Sequence, residues 1–175
     1  MAEGWISTSM PYVVPGERGR PDAWTAQGTE AARTTQRVLH AGRVPMPEDV
    51  GRLLDLPDAE VIVRRRAMYV NDRPVELTDS YFPLSIAAGT RLAEPRKIPG
   101  GAVRLLADLG HVAHRVHEDV TVRPPDDDER ALLDLPANEP LLILTRLTLD
   151  TDDRPFQADV MAMPNGHLRY ELTIG

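Results

Sequence analysis

Leu53-Leu54-Asp55-Leu56-Pro57, followed by Val61-Ile62-Val63-Arg64-Arg65-Arg66 and then by Asp72-Arg73-Pro74, decides the fold, because the pattern occurs twice. Leu132-Leu133-Asp134-Leu135-Pro136 leads in the same way into Leu141-Leu142-Ile143-Leu144-Thr145-Arg146 and Asp153-Arg154-Pro155. The second copy trails by 79 residues at the first motif (132 − 53) and by 81 at the last (155 − 74), so two residues are inserted between them. A solenoid needs at least about three repeats to bury a continuous core, so two copies imply one domain with pseudo-twofold symmetry.

Working outward, each motif closes a short helix and opens a hairpin. Val50, Leu53 and Leu54 form an apolar stripe, Pro47, Glu48 and Asp49 suit a helix start, and Pro57 ends it. The acidic run Asp126-Asp127-Asp128-Glu129 opens the equivalent helix. Val61 to Val70 and Arg73 to Phe82 are β-rich runs on either side of Asn71-Asp72, a turn pair suited to a two-residue hairpin, and residues 140–150 and 154–163 repeat them. Strands predicted at Thr35–Val44 and His111–Val122 complete the copies. Residues 84–110 have no repeat partner: Pro95 and Pro99 frame a loop, and Gly100-Gly101 precede an amphipathic helix carrying Val103, Leu105, Leu106 and Leu109, stopped by Gly110. Residues 1–35 read as an arm with one short strand at Tyr12-Val13-Val14, pinned to the body by Trp5 and Trp24; residues 36–175 form the domain, ended by a strand from His167 to Ile174. The predicted class is α+β, a mostly antiparallel sheet with short helices.

Composition excludes several functions. The chain has 175 residues, no cysteine, a net charge of −7 and a pI near 5.2. Thiolate metal sites and disulfides are therefore out, and so acidic a chain lacks the basic footprint needed to grip nucleic acid by itself. No apolar run approaches the roughly 20 residues of a membrane span, and no signal peptide is visible, so a cytoplasmic protein is predicted. His111, His114 and His117 alternate across a predicted strand and imply no metal site. No nucleophile elbow, phosphate loop or dinucleotide fingerprint is present, which leaves no predicted catalytic residue and no cofactor.

The copies differ where a ligand would bind. Alternation puts Ile62, Arg64, Arg66 and Met68 on one strand face. At the 81-residue offset their counterparts are Ile143, Thr145, Leu147 and Leu149, so two arginines stand where the second copy is apolar. A buried guanidinium demands a partner. With Val70 opposite Arg73, the register places Asp79 opposite Arg64 and Leu77 opposite Arg66. Arg64 is then satisfied internally, whereas Arg66 is free for an anionic or polar ligand, unless a distant acid such as Glu118 reaches it.

These motifs, taken with Pro74-Val75-Glu76-Leu77-Thr78-Asp79-Ser80-Tyr81-Phe82-Pro83, the Gly-Gly helix and the closing Leu168-Arg169-Tyr170-Glu171-Leu172, resemble the UTRA domain. That domain is the effector-sensing half of HutC-subfamily GntR transcription regulators, and the resemblance covers about residues 36–174. It implies a chorismate-lyase-like fold, a homodimer, and a small-molecule pocket whose occupancy alters DNA binding by an N-terminal winged helix. No winged helix is included in this chain, which is expected to be a regulator fragment beginning near the inter-domain linker. Family members that sense phosphorylated amino sugars hold the phosphate with two alternating arginines; here Arg66 matches the first and Met68 replaces the second. Gly100 and Ala102 stand for a serine and an aromatic, Thr78 for an acid, and Gln157 and Met163 for a carboxylate and a tyrosine. These departures argue against a sugar phosphate and for a larger or more apolar effector with one anionic or polar group. Arg64, Gly100, Gly101, Asp79, Tyr81, Asp159 and Met161 complete the predicted lining.

The function that follows is effector sensing by a dimeric regulatory domain that meets DNA only through another domain. Two alternatives stand beside it: a chorismate-lyase-like enzyme, and a dimerisation module with a vestigial pocket.

Overall fold

The computed structural model describes residues 6–57 and 60–170. Six antiparallel strands form one sheet in the order β2-β3-β4-β7-β6-β5, namely β2 (Thr34–Pro45), β3 (Glu60–Val70), β4 (Arg73–Phe82), β5 (Arg115–Arg123), β6 (Leu141–Leu149) and β7 (Pro155–Pro164). The order is symmetric about the β4–β7 seam, where Asp79 faces Val160. Two residues at each end of the described chain, β1 (Ile6–Ser7) and β8 (His167–Leu168), pair in parallel.

The duplicated Leu-Leu-Asp-Leu-Pro is a helix stop. In α2 (Glu48–Leu54) and α5 (Asp127–Leu133) the last leucine is buried, and the following aspartate turns into the left-handed region, with φ of 50° at Asp55 and 53° at Asp134. Its successor closes the turn, Leu56 N–H donating to Gly51 O at 3.2 Å and Leu135 N–H to Arg130 O at 3.0 Å, before proline forbids another turn. The acidic run is indeed a helix start, since Asp126 and Glu129 make a reciprocal capping box.

Both helices cover one face of the sheet. Val50 and Leu54 pack on Val61, Val63, Tyr81 and Ala158; Leu133 packs on Ala67, Leu77, Leu141, Ile143 and Ala162. The opposite face receives the connector, including α3 (Leu84–Ala87) and α4 (Gly101–Asp108), whose Leu106 joins Ile62, Phe82, Leu92, Ile98 and Phe156 in a separate core.

The hairpins correct the predicted register. Asn71 and Asp72 both take positive φ, 49° and 64°, and close the expected two-residue turn with Val70 opposite Arg73. A bulge follows at once: Tyr69 faces Pro74 but Met68 faces Glu76, which leaves Val75 as the extra residue. Every later pair shifts by one, so Asp79 faces Arg65, Ser80 faces Arg64, and Thr78, not Leu77, faces Arg66.

The same bulge recurs in the second copy, where Leu149 faces Pro155 and Thr148 faces Gln157. Its turn, residues 150–154 against 70–73, is one residue longer, so one of the two inserted residues lies there and the other precedes β6. Matched at the bulges, Met68 corresponds to Thr148 and Arg66 to Arg146, which overturns the predicted match of Arg66 to Leu147.

Other differences are local. Met10–Tyr12 form a 3-10 turn instead of a strand, with Pro11 inside it. The strand expected from His111 begins only at Arg115, because His111 N–H closes the end of α4 on Leu106 O at 2.8 Å. The final strand is His167–Leu168; the expected part at 171–174, and Trp5, lie outside the described residues.

Because Asp55 and Asp134 sit in the left-handed region, Asp55→Gly is expected to leave the thermal midpoint unchanged or raise it. Asp55→Val should lower stability by about 1–2 kcal/mol. Parallel melts of the two variants check this.

Candidate functional site

A cavity of about 1020 Å³ lies between the connector-side face of the sheet and a roof made by the arm and the start of α4. The arm holds its place through a few strong anchors. Trp24, in α1 (Ala23–Ala26), is 2% exposed and donates its Nε1–H to Thr35 O on β2 at 2.8 Å. Asp22 caps α1 by accepting from Thr25 N–H at 3.0 Å, accepts from Gln36 Nε2 at 3.0 Å, and lies 3.5 Å from Lys97 Nζ. The Gly100-Gly101 pair has φ of 75° and 84°, and a Cβ on Gly101 would stand 3.0 Å from the Asp22 Cβ. Close approach of arm to helix therefore accounts for the glycines. The Gly101 N–H is taken by Ile98 O at 2.9 Å and is not turned to the cavity as a donor.

Alternation along four strands supplies the floor. Arg64, Arg66 and Met68 come from β3, Glu76, Thr78 and Ser80 from β4, Arg146 from β6, and Gln157, Asp159 and Met161 from β7. The predicted residues Arg64, Arg66, Met68, Gly100, Gly101, Gln157, Asp159 and Met161 all line this cavity. Asp79 and Tyr81 do not. They are odd-numbered on a strand whose even positions face the cavity, so they point to the helix-covered side. There Asp79 binds Arg65 Nε at 2.8 Å and Nη2 at 2.6 Å and accepts from the Tyr81 hydroxyl at 3.2 Å.

The four arginines of this region have different fates. Arg65 is half exposed in its pair with Asp79. Arg64 is 3% exposed and meets no carboxylate; its guanidinium donates to the backbone carbonyls of Arg91 (3.3 Å), Leu92 (3.3 Å), Glu94 (2.6 Å) and Arg96 (2.7 Å). Burial, and then the like charge of Arg66, bring its pKa down to about 10. Arg64 is thus a clamp on the connector, not a free ligand donor. Arg146 donates Nε to Glu118 Oε1 at 2.6 Å, and Glu118 also accepts from Ser9 at 2.9 Å and Tyr170 at 2.8 Å. Arg66 makes one hydrogen bond among the described residues, Nη2 to Ser80 Oγ at 3.0 Å, and its buried Nε–H has no acceptor. Glu118 is committed to Arg146 and does not reach Arg66.

The carboxyls divide similarly. Asp159 accepts from Ser80 Oγ at 2.5 Å and from Gln157 Nε2 at 2.9 and 2.8 Å. Glu76, 6% exposed, accepts only the Thr78 hydroxyl among the described residues; burial pushes its carboxyl up, against the pull of Thr78, Arg66 and Arg146. On the roof, the Tyr12 hydroxyl and the Gln27 carbonyl oxygen are buried without a partner among the described residues. Among the described residues no group of His, Asp and Glu is arranged to hold a metal ion, and His111 packs on Phe156 with ring centroids 5.8 Å apart.

Sequence reasoning missed Glu76, Ser80, Arg146 and the arm's share of the roof. Thr78 was singled out, and alternation from it reaches Glu76 and Ser80, so that signal was present. Arg146 was hidden by the one-residue turn insertion, and the arm carries no periodicity to read.

The family model of the UTRA domain matches residues 29–168. An uncharacterised HTH-type transcriptional regulator of Streptomyces coelicolor is 30% identical over 124 residues, covering 69% of this chain and 46% of the relative, so the chain spans about half that relative's length. In fold, the effector domain of PhnF from Mycobacterium smegmatis superposes with a TM-score of 0.74 at 18% identity, covering 92% of this chain and 99% of that one. The C-terminal domain of YurK from Bacillus subtilis gives 0.67 at 18% identity, covering 78% and 95%. The chain has the chorismate-lyase-like α+β fold of these effector domains. No helix of the described residues is long and apolar enough to cross a membrane.

Arg64→Ala should cost about 3–5 kcal/mol in urea unfolding, because it removes four charge-assisted bonds to the connector, one of them to the buried Leu92 carbonyl. Arg65→Ala, at a half-exposed pair, should cost no more than about 1 kcal/mol. For Glu118, burial acts to raise the pKa, but the bonds from Ser9, Arg146 and Tyr170 outweigh it and hold the carboxyl below its usual value. Its stabilising contribution is therefore complete above the ordinary glutamate range and lost as pH falls through the depressed folded value. The stability gap between the unaltered chain and Glu118→Gln should close over that acidic window and stay constant at neutral pH.

Proposed function

Because the chain belongs to the UTRA domain family, we propose that it senses a small-molecule effector for a GntR-type transcription regulator. The observation that carries this reading is the cavity: large, polar on its floor, apolar along Met68, Met161, Val38 and Ile98, and roofed by the arm. In this reading residues 36–175 are the sensing body and residues 1–35 the covering arm. A ligand that touches both floor and roof binds better to the closed arrangement than to one with the arm displaced, and only such a difference shifts an equilibrium. The shift reaches DNA through a separate DNA-binding domain in the longer protein. The regulator name and greater length of the Streptomyces relative support this. A homodimer is its working unit, supported by exposed Val120 and Val122 on edge strand β5.

A catalytic reading has one observation in its favour, a buried glutamate and an arginine, Glu76 and Arg66, in one cavity. Incubation with chorismate, followed by chromatography for an aromatic acid, decides it; no turnover is expected.

Arg66 is the proposed anchor for an anionic or polar effector group. A thermal-shift screen of small organic acids and natural-product intermediates should yield a stabilising compound. Arg66→Ala should weaken that compound by tenfold or more, about 1.4 kcal/mol or above. Full affinity in Arg66→Ala would remove the anchor assignment. Light scattering should give twice the chain mass, and in the longer protein the compound should change operator affinity.

A further inference from the structure

The two halves of the sheet are built alike, so each supplies a control for the other. Arg146 in the second half faces Glu118 across the β5–β6 pair and is neutralised by it. Arg66, at the equivalent place, faces Val38 across the β2–β3 pair. The carboxyls show the same contrast. Asp159 is saturated by Ser80 and Gln157, whereas Glu76, the structural counterpart of Gln157, accepts a single hydroxyl bond.

Thus each kind of charge is closed in one half and left open in the other half, in the same cavity. Arg66 faces Thr78, and Glu76 lies two residues along the same strand on the same face, which places their Cβ atoms in a diagonal relation of roughly 7–8 Å. Both side chains have the length to meet, yet they form no ion pair with each other or with any other described residue. Two complementary charges held apart in a roofed cavity define two poles. A simple anion would satisfy Arg66 and leave Glu76 stranded, and a simple cation would do the reverse.

Resting on the effector-site reading above, we propose that the ligand is zwitterionic, placing a carboxylate or similar anion on Arg66 and a protonated amine on Glu76. Charge–charge matching at both poles also gives specificity, since a molecule with only one charge leaves a buried group uncompensated. The raised carboxyl of Glu76 agrees with a site that awaits its cation. Glu76 becomes a ligand-binding residue whose buried carboxyl destabilises the empty protein.

The test uses the full chain and a ruler of ω-amino acids from 4-aminobutanoate to 8-aminooctanoate, each beside its unsubstituted carboxylate and its unsubstituted amine. Binding is read by calorimetry, stability by thermal melting. At least one ω-amino acid is expected to bind about tenfold tighter than both of its one-charge analogues. Glu76→Gln should erase that advantage while the plain carboxylate still binds, and Arg66→Gln should weaken both the zwitterion and the carboxylate. Unliganded Glu76→Gln should melt no lower than the unaltered chain; a lower melting point would assign Glu76 a structural role and overturn the proposal. Carboxylates that bind as well as zwitterions, unaffected by Glu76→Gln, would overturn the two-pole ligand and leave the effector site standing. Failure of every probe, one-charge and two-charge alike, would count against both.

Discussion

A guanidinium removed from water must find acceptors, and the architecture around the sheet follows from how each arginine does so. Arg64 sits on the central face and is answered by four carbonyls of the connector, which fastens a segment of irregular backbone over the edge of the core. The same contacts satisfy the buried Leu92 carbonyl and tie it to its neighbours in the connector, so guanidinium and loop hold each other. Arg146 is answered by Glu118, and Glu118 in turn gathers Ser9 and Tyr170, drawing both ends of the chain to one strand. Arg66 alone on this face lacks such an answer among the described residues, and the cavity is there.

Duplication makes this asymmetry readable. Both halves have a helix stopped by a left-handed aspartate and a hairpin bulged one step from its turn. Those repeated features carry the scaffold: they place the leucines under the helices and the even positions of β4 toward the cavity. Small departures from the repeat, Val38 against Glu118 and Glu76 against Gln157, change which charges are neutralised without disturbing the packing. The cavity thereby carries its unanswered arginine and glutamate on one half of a symmetric frame.

Much of this was legible in advance, for identifiable reasons. Helix stops, turn pairs and alternating strands are local and periodic, so the repeat announced the fold class, the two helices and the four central strands. Arg66, Met68, Gln157, Asp159 and Met161 were legible as a set because the resemblance named strands and alternation named faces. The errors along the β3–β4 pair share one origin. A bulge adds a residue without a compositional mark, and so Asp79 was assigned to Arg64 in place of Arg65, while Asp79 and Tyr81 were assigned to the cavity. The strand expected at Tyr12-Val13-Val14 gives way to a 3-10 turn at Met10–Tyr12, because the Tyr12 and Val13 N–H groups bond back to Ser9 O and Met10 O within the arm.

The sequence by itself determined the helix stops, the hairpin turns, the duplication and the family, because each depends on backbone preferences and spacings within a few residues. Only the tertiary structure decided which arginine is clamped, which is paired and which is open, and that the copy of Leu53-Leu54-Asp55-Leu56-Pro57 leads to a third arginine, Arg146, beside Arg64 and Arg66 on the cavity floor. The physical reason is that charge satisfaction depends on partners brought together across the sheet, from the arm and from the connector, which no local spacing records.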